Sequence, residues 1–267
     1  KKIIFIGDSF THNVKWTHET IKTLNEKISV EGFSLGASGF STIQSYIKLK
    51  KHFGEIKPDL VVLLFYAWND MRDNYNQPGI IYSPKTEMRP YLSGNFNFEK
   101  DEIFSDLNWF KKLNIYQDII IKYKLRINKL IVENLGIDFL SKNNVKLNID
   151  YTNKDSWVPF HTKGMEKSKY VESAWNITEV VLKQMNEFIK AKNKKLIIIG
   201  IDNAFTIDAD VREVWTDDIP NFDIYKNINV LKSLCKKNNI SFIDGLSILE
   251  KKKKEINKKI YNYPAGN

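Results

Sequence analysis

Hydrophobic positions fall into two rhythms along this chain. Short apolar runs, many of them rich in β-branched residues, occur at Lys2–Ile6, Ile28–Leu35, Leu60–Tyr66, Leu196–Ile201 and Ser241–Asp244, the second of them broken by Ser29, Glu31 and Ser34. Runs of this length that are not interrupted every second residue by a polar one predict strands covered on both faces, the state of strands in a parallel sheet. Between them the spacing changes to near 3.6. Thr17–Lys27 carries Ile21 and Leu24, and Thr42–Phe53 carries Ile43, Tyr46, Ile47 and Leu49. Lys169–Lys192 is longer, with Val171, Trp175, Val180, Val181, Met185, Phe188 and Ile189 on one side, and Ile224–Lys237 closes the series. Strands alternating with helices predict an α/β fold with helices on both faces of the sheet.

About 130 residues separate the third strand from the fourth, far more than the dozen or so a parallel crossover needs. Ile80 to Asp101, with Pro84 and Pro90, reads as a loop, and Asp106–Leu135 as a helix carrying Ile119, Ile120, Leu125, Ile127, Leu130 and Ile131. Asn143–Lys163 is irregular again and holds Trp157, Pro159 and His161. The expectation is one domain over residues 1–267, with residues 75–165 inserted as a cap or lid.

Composition narrows the classes. At 267 residues, 42% hydrophobic and 13% aromatic, the chain buries a core without needing disulfides or metals and is not a disordered one. Its single cysteine, Cys235, forms no intrachain disulfide, has no zinc spacing around it, and reads as a small buried hydrophobe. No apolar run approaches the 18 residues of a membrane span. There is no signal-peptide pattern, yet the chain opens directly on a strand, so removal of an upstream export signal or anchor is one expectation and a cytoplasmic protein the other. The net charge of +9 comes largely from scattered lysines, with one dense run at Lys251–Lys254 followed by Lys258 and Lys259 and no arginine cluster. A solvated lysine face accounts for that pattern better than nucleic-acid binding. The acidic group Asp208, Asp210, Asp217 and Asp218 lacks the ordered spacing of a cation loop, and neither a metal nor an organic cofactor is expected.

Three motifs carry chemistry. The first strand ends in Gly7-Asp8-Ser9-Phe10, which puts Ser9 just past a strand's carboxyl end, where open α/β sheets place their ligands. The second, Ser34 to Thr42, has a Gly36/Gly39 turn leading into a helix, a geometry that faces backbone N–H groups toward a ligand; a tight turn requiring positive φ is the plainer reading. The third is Tyr66-Ala67-Trp68-Asn69-Asp70 after the third strand, where Asn69 can aim its amide at the same crevice or serve as a helix cap. Together they supply an oxygen nucleophile and convergent donors for an oxyanion, the set that acyl transfer requires.

These motifs resemble blocks I, II and III of the SGNH (GDSL-type) hydrolases. Asp73-Asn74 followed by Arg89-Pro90-Tyr91, the KKLIIIGIDN segment and the later ISFIDG extend the likeness over nearly the whole chain outside the insertion. The resemblance implies a three-layer α/β/α flavodoxin-like sandwich with five parallel strands in the order 2-1-3-4-5. It implies Ser9 as nucleophile with its own N–H in the oxyanion hole, Gly39 as the second N–H and Asn69 as the side-chain donor, with Asp8 and Asp70 as structural partners of the site. Ser34 stands where that family often has an asparagine, which weakens one supporting hydrogen bond.

The family's fourth block, an Asp-x-x-His after the last strand, has no counterpart here. The four histidines are His12, His18, His52 and His161, and none has an aspartate three positions before it. Three explanations stand: a tail missing from the sequence, a relative that has lost its chemistry, or a histidine from elsewhere. His161 is the best substitute, against a plainer reading as a surface loop residue; His12 could flank the site, and His18 and His52 read as helix-surface residues. Trp157 and Trp215, in expected loops, are candidates for a sugar or acyl pocket, while Trp175 reads as core. The expected activity is cleavage of a small acyl ester, with carbohydrate O-acetyl groups as one substrate class. An O-acyltransferase using the same site and an inactive binding or assembly protein are the alternatives, and the oligomeric state is open.

Overall fold

The computed structural model describes residues 1–74, 158–166, 169–208, 219 and 221–256. The expected helix at Asp106–Leu135, most of the inserted cap, and both Trp157 and Trp215 lie outside them. Five strands, β1 (Lys2–Gly7), β2 (Glu31–Ser34), β3 (Leu60–Tyr66), β4 (Lys195–Ile201) and β5 (Ser241–Asp244), form one parallel sheet in the order β2-β1-β3-β4-β5. This is the flavodoxin-like arrangement, with helices on both faces.

The register sorts the apolar runs onto two faces. Ile4, Val61 and Leu196 lie side by side in the ladder, as do Ile6, Leu63 and Ile198, and all six are buried. On this face lie α3 (Thr42–Ile56), α6 (Lys169–Lys190) and α8 (Lys226–Lys237). Trp175 of α6 stacks on Phe65, and a side chain at Gly200 would run into Ile228 of α8. The opposite face holds Phe5, Val62 and Ile197, with α2 (Lys15–Asn25) laid over it through Trp16, Ile21 and Leu24. Here cover thins toward the β5 edge: Ile199 is half-buried and its neighbour Ile243 is 39% exposed.

Strand β2 is shorter than the expected Ile28–Leu35. Both the N–H and the carbonyl of Val30 are taken by the Asn25 side chain, at 2.8 and 3.0 Å, so that side chain stands in for a ladder partner and the ladder proper begins with Glu31 beside Lys2. Helix α3 begins at Thr42, where Gln44 reaches back to accept the Ser41 N–H at 2.6 Å, and it runs on from the expected Phe53 to Ile56 before Lys57 closes it in the left-handed region. Three short helices were not foreseen: α1 (Ser9–His12), α5 (Val158–His161), within the stretch expected to be irregular, and α7 (Ala204–Ile207). The chain's last described helix is α9 (Gly245–Ile256). Its Lys253 forms a 2.5 Å ion pair with the buried Asp208 and donates to the Ile207 carbonyl, so one lysine of the dense run anchors a helix while Lys251, Lys252 and Lys254 face solvent. Cys235 is buried, and burial pushes its thiol up to about 12, as expected of a packing residue. No described helix is long and apolar enough to cross a membrane.

Candidate active site

The carboxyl ends of β1, β2 and β3 adjoin one another at one edge of the sheet, and all three sequence motifs emerge there. Ser9 is exposed, at the first position of the four-residue helix α1. Asp8 caps that turn: its Oδ1 accepts the Phe10 N–H at 2.9 Å, and its Oδ2 lies 3.5 Å from the Ser9 hydroxyl that donates to it. Burial pushes the Asp8 carboxyl up to about 6, with the Phe10 N–H and the Ser9 hydroxyl holding it back.

The second motif is pressed against the first. A methyl group at Gly36 would lie 2.5 Å from the Thr11 carbonyl carbon and 2.6 Å from the His12 nitrogen, so only a glycine lets the two backbones meet this closely. Gly39 has φ +73 and needs glycine for the other reason, conformation. The Ser34 hydroxyl donates to the Thr11 carbonyl at 2.8 Å and so ties β2 to the turn that carries Ser9. The His12 Nδ1 sits 3.4 Å from the Gly36 carbonyl oxygen on the same seam, with its ring exposed.

The third motif is held from below. Asn69 follows β3, with its N–H on the Tyr66 carbonyl at 3.3 Å, and α4 (Asp70–Asn74) follows it directly. The buried Asp70 accepts the Tyr66 N–H at 3.0 Å; burial first, and the nearby Asp8 charge second, raise its carboxyl well above the ordinary range. Asn74, fully buried, accepts the Ile43 N–H of α3 at 3.1 Å and donates to the Thr178 hydroxyl of α6 at 3.0 Å. Phe10 and Tyr66 meet at 4.7 Å between ring centres, so the first and third motifs share a side-chain contact as well.

His161 is not a surface residue. Its ring is fully buried, stacked on Phe222 at 5.3 Å and tilted against Trp68 at 5.3 Å, and its Nε2 lies 3.0 Å from the Asn227 Nδ2. Burial, with Lys226 close by, drives its pKa down to about 3. Lys226 is itself buried, donating to the Thr162 and Pro159 carbonyls and pairing with Glu166 at 3.1 Å, which fixes the turn after α5 onto the start of α8. Sequence reading missed Asn227, Lys226 and Asp202. Asp202, at the end of β4, is fully buried, and burial pushes its carboxyl up to about 8 against the one Asn203 N–H that favours its charged form. The polar residues directly after a strand were the available signal for Asp202; nothing in the sequence singles out Asn227.

Beside Ser9 lies an open depression of about 580 Å³ lined by Ser9, Phe10, Asn13, Lys15, Trp16 and Glu19. Trp16 is fixed in it by its indole N–H, which donates to the Phe10 carbonyl at 2.9 Å, and by an edge contact with Phe5. Among the described residues, no group of three or more histidines, cysteines or carboxylates converges closely enough to hold a metal ion. Asp208 of the acidic group is committed to Lys253, and Asp210, Asp217 and Asp218 lie outside the described residues.

No family model matches this chain, and no curated protein matches it in sequence. Solved structures similar to it include a lipase/acylhydrolase from Enterococcus faecalis, at 14% identity over 93% of this chain and 78% of that one, with a TM-score of 0.42. A catalytic mutant of an acetylxylan esterase from Geobacillus stearothermophilus is similar at 14% identity over 99% of this chain and 82% of the other, TM-score 0.42. A GDSL-like lipase from Bacteroides thetaiotaomicron is similar at 14% identity over 91% and 67%, TM-score 0.39. The strand order given above stands on the hydrogen-bonded ladder itself.

Proposed function

We propose that this chain is a serine-dependent carboxylic ester hydrolase of the SGNH type, acting on small acyl esters, with O-acetyl groups on carbohydrate as the favoured class. The observation that carries the reading is the exposed Ser9 at the end of β1, on a turn sewn to the Gly36/Gly39 loop. Ser9 Oγ attacks the ester carbonyl. The negative oxygen that results is received by the N–H groups of Ser9 and Gly39 and by the Asn69 side chain. The alcohol leaves, and water releases the acyl group from Ser9.

Two features support a carbohydrate on the alcohol side. Phe10 and the braced Trp16 offer apolar faces beside Ser9, and Asn13, Lys15 and Glu19 surround them with groups that bond hydroxyls. Trp157 and Trp215, outside the described residues, remain candidates for contacts with a sugar or acyl group. Ser9 also needs a proton acceptor. Its hydroxyl donates to Asp8, whose raised pKa makes it a stronger base than an ordinary carboxylate.

The test is labelling by a fluorophosphonate probe read by intact mass, with Ser9→Ala as control. One adduct on the native chain and none on the variant is the expected result. An unlabelled native chain overturns the hydrolase reading and leaves a binding protein. Release of acetate from acetylated oligosaccharide, compared with transfer to an added glycan acceptor, separates hydrolase from acyltransferase.

A further inference from the structure

His161 and Asn227 are fully buried polar residues to which the proposed chemistry gives no task. The Asn227 Nδ2 donates to the Ala67 carbonyl at 2.9 Å and faces the His161 Nε2 at 3.0 Å. A carbonyl only accepts, so the amide nitrogen, not its oxygen, must point at Ala67. The second N–H of that nitrogen then meets Nε2, which must carry the lone pair. The imidazole is therefore the neutral Nδ1–H form, and its basic nitrogen is already occupied.

Ala67 directly follows β3. Its N–H is bonded across to the Ile201 carbonyl of β4 at 2.8 Å, and its carbonyl is held by Asn227 from α8. The next residue, Trp68, lies against the His161 ring, and the one after is Asn69. The backbone on which Asn69 stands is thus clamped through hydrogen bonds on one residue and ring contact on the next. Ring contact alone would need only an aromatic residue at 161. The bond to Asn227 needs an acceptor there.

We propose that His161 and Asn227 form a positioning pair that sets the orientation of Asn69, with His161 acting as a hydrogen-bond acceptor rather than as the base for Ser9. The inference rests on the reading of Asn69 as an oxyanion donor. His161→Phe keeps a ring between Phe222 and Trp68 and removes the acceptor, whereas His161→Gln restores an acceptor without the ring charge chemistry.

The full chain, 15N-labelled, gives a readout that does not depend on turnover. The Asn69 side-chain amide resonances are expected to shift or broaden in His161→Phe and to return toward the native position in His161→Gln. Should His161→Phe fail to fold, Asn227→Ala severs the same clamp from the other side and is expected to give the same shift. Asn69 resonances unmoved by both variants would overturn the proposal. On an ester substrate, His161→Phe is expected to lower kcat about tenfold with KM within about twofold, and to have less than about a twofold effect in an Asn69→Ala background. Full additivity in that double mutant would also overturn it. A native chain that turns over no ester at all, while the Asn69 resonances still respond, would strike the hydrolase reading and leave the clamp standing.

Discussion

The two rims of the candidate site are built in opposite ways. On the nucleophile rim, backbone meets backbone: Gly36 lies against Thr11 and His12, and a single hydroxyl, that of Ser34, adds a stitch. On the Asn69 rim, side chains, two of them from distant segments, reach in to hold backbone groups. Asn227 takes the Ala67 carbonyl, Asp70 the Tyr66 N–H, and Asn74 the Ile43 N–H while also bonding Thr178. The first construction is rigid because there is no room. The second is rigid because buried side chains hold backbone groups through hydrogen bonds that would be costly to lose. The first rim should therefore fail through steric collision and the second through unsatisfied hydrogen bonds, and the two failures scale differently.

Substituting Ser9, the proposed nucleophile, has the largest expected effect and the least structural consequence. Ser9 is exposed, so Ser9→Ala should abolish probe labelling and ester turnover while leaving the unfolding temperature within about a degree or two, in keeping with a surface substitution worth under about 0.5 kcal/mol. Gly36→Ala comes next. Its methyl would meet backbone atoms at 2.5 and 2.6 Å, and neither can swing aside as a flexible side chain could. A loss of about 2–4 kcal/mol in denaturant unfolding is expected, with activity falling in parallel as the Ser9 turn is displaced. If Gly36→Ala were neutral, the close seam between the two motifs would not exist.

How far each rim could be read from sequence follows from the same difference. The nucleophile rim is local: Gly-Asp-Ser after an apolar run, then a glycine turn after the next, with spacing that announces both. Strand β3 and strand β5 could be read to the residue, because their apolar runs have sharp polar or turn boundaries. The start of β2 could not, because Val30 is satisfied by a side chain from the preceding helix and so leaves the ladder. The Asn69 rim depends on pairs separated by 31, 66, 104 and 160 positions, namely Ile43 with Asn74, His161 with Asn227, Asn74 with Thr178, and Ala67 with Asn227. No periodicity links such residues. His161 illustrates the cost: in a segment with no helical or strand rhythm it reads as a loop residue, and tertiary packing makes it one of the most enclosed polar groups in the chain.

Asn74 tests the second construction directly. Asn74→Ala leaves the Ile43 N–H without its partner in a buried setting and removes the bond that the Thr178 hydroxyl accepts, and a destabilisation of about 2–3 kcal/mol is expected from unfolding curves. Asn74→Asp should recover only part of it, since a carboxylate still accepts from Ile43 but cannot donate to Thr178. A fully stable Asn74→Ala would mean that the helix start is held by packing, and the contrast between the rims would weaken.

The sharpest contrast between the rims lies in pH. Asp8 on the nucleophile rim has a folded pKa of about 6, above its unfolded value near 3.8. The native state therefore holds that proton more tightly, and stability is lost as pH rises from about 4 through 6. His161 on the other rim has a folded pKa of about 3, below its unfolded 6.5, so the unfolded chain takes up the proton first and stability is lost as pH falls from 6.5 toward 3. The rims thus pull in opposite directions. Asp8→Asn, which keeps a capping oxygen for the Phe10 N–H, should gain about 3 kcal/mol near pH 8 and nothing near pH 3.5, flattening the upper side of the stability profile. His161→Phe should flatten the lower side, so that its deficit against the native chain near neutral pH shrinks by roughly 3 kcal/mol near pH 4. Parallel slopes for native and variant chains across both ranges would show that neither group carries its charge penalty, and the two rims would then differ in construction but not in electrostatics.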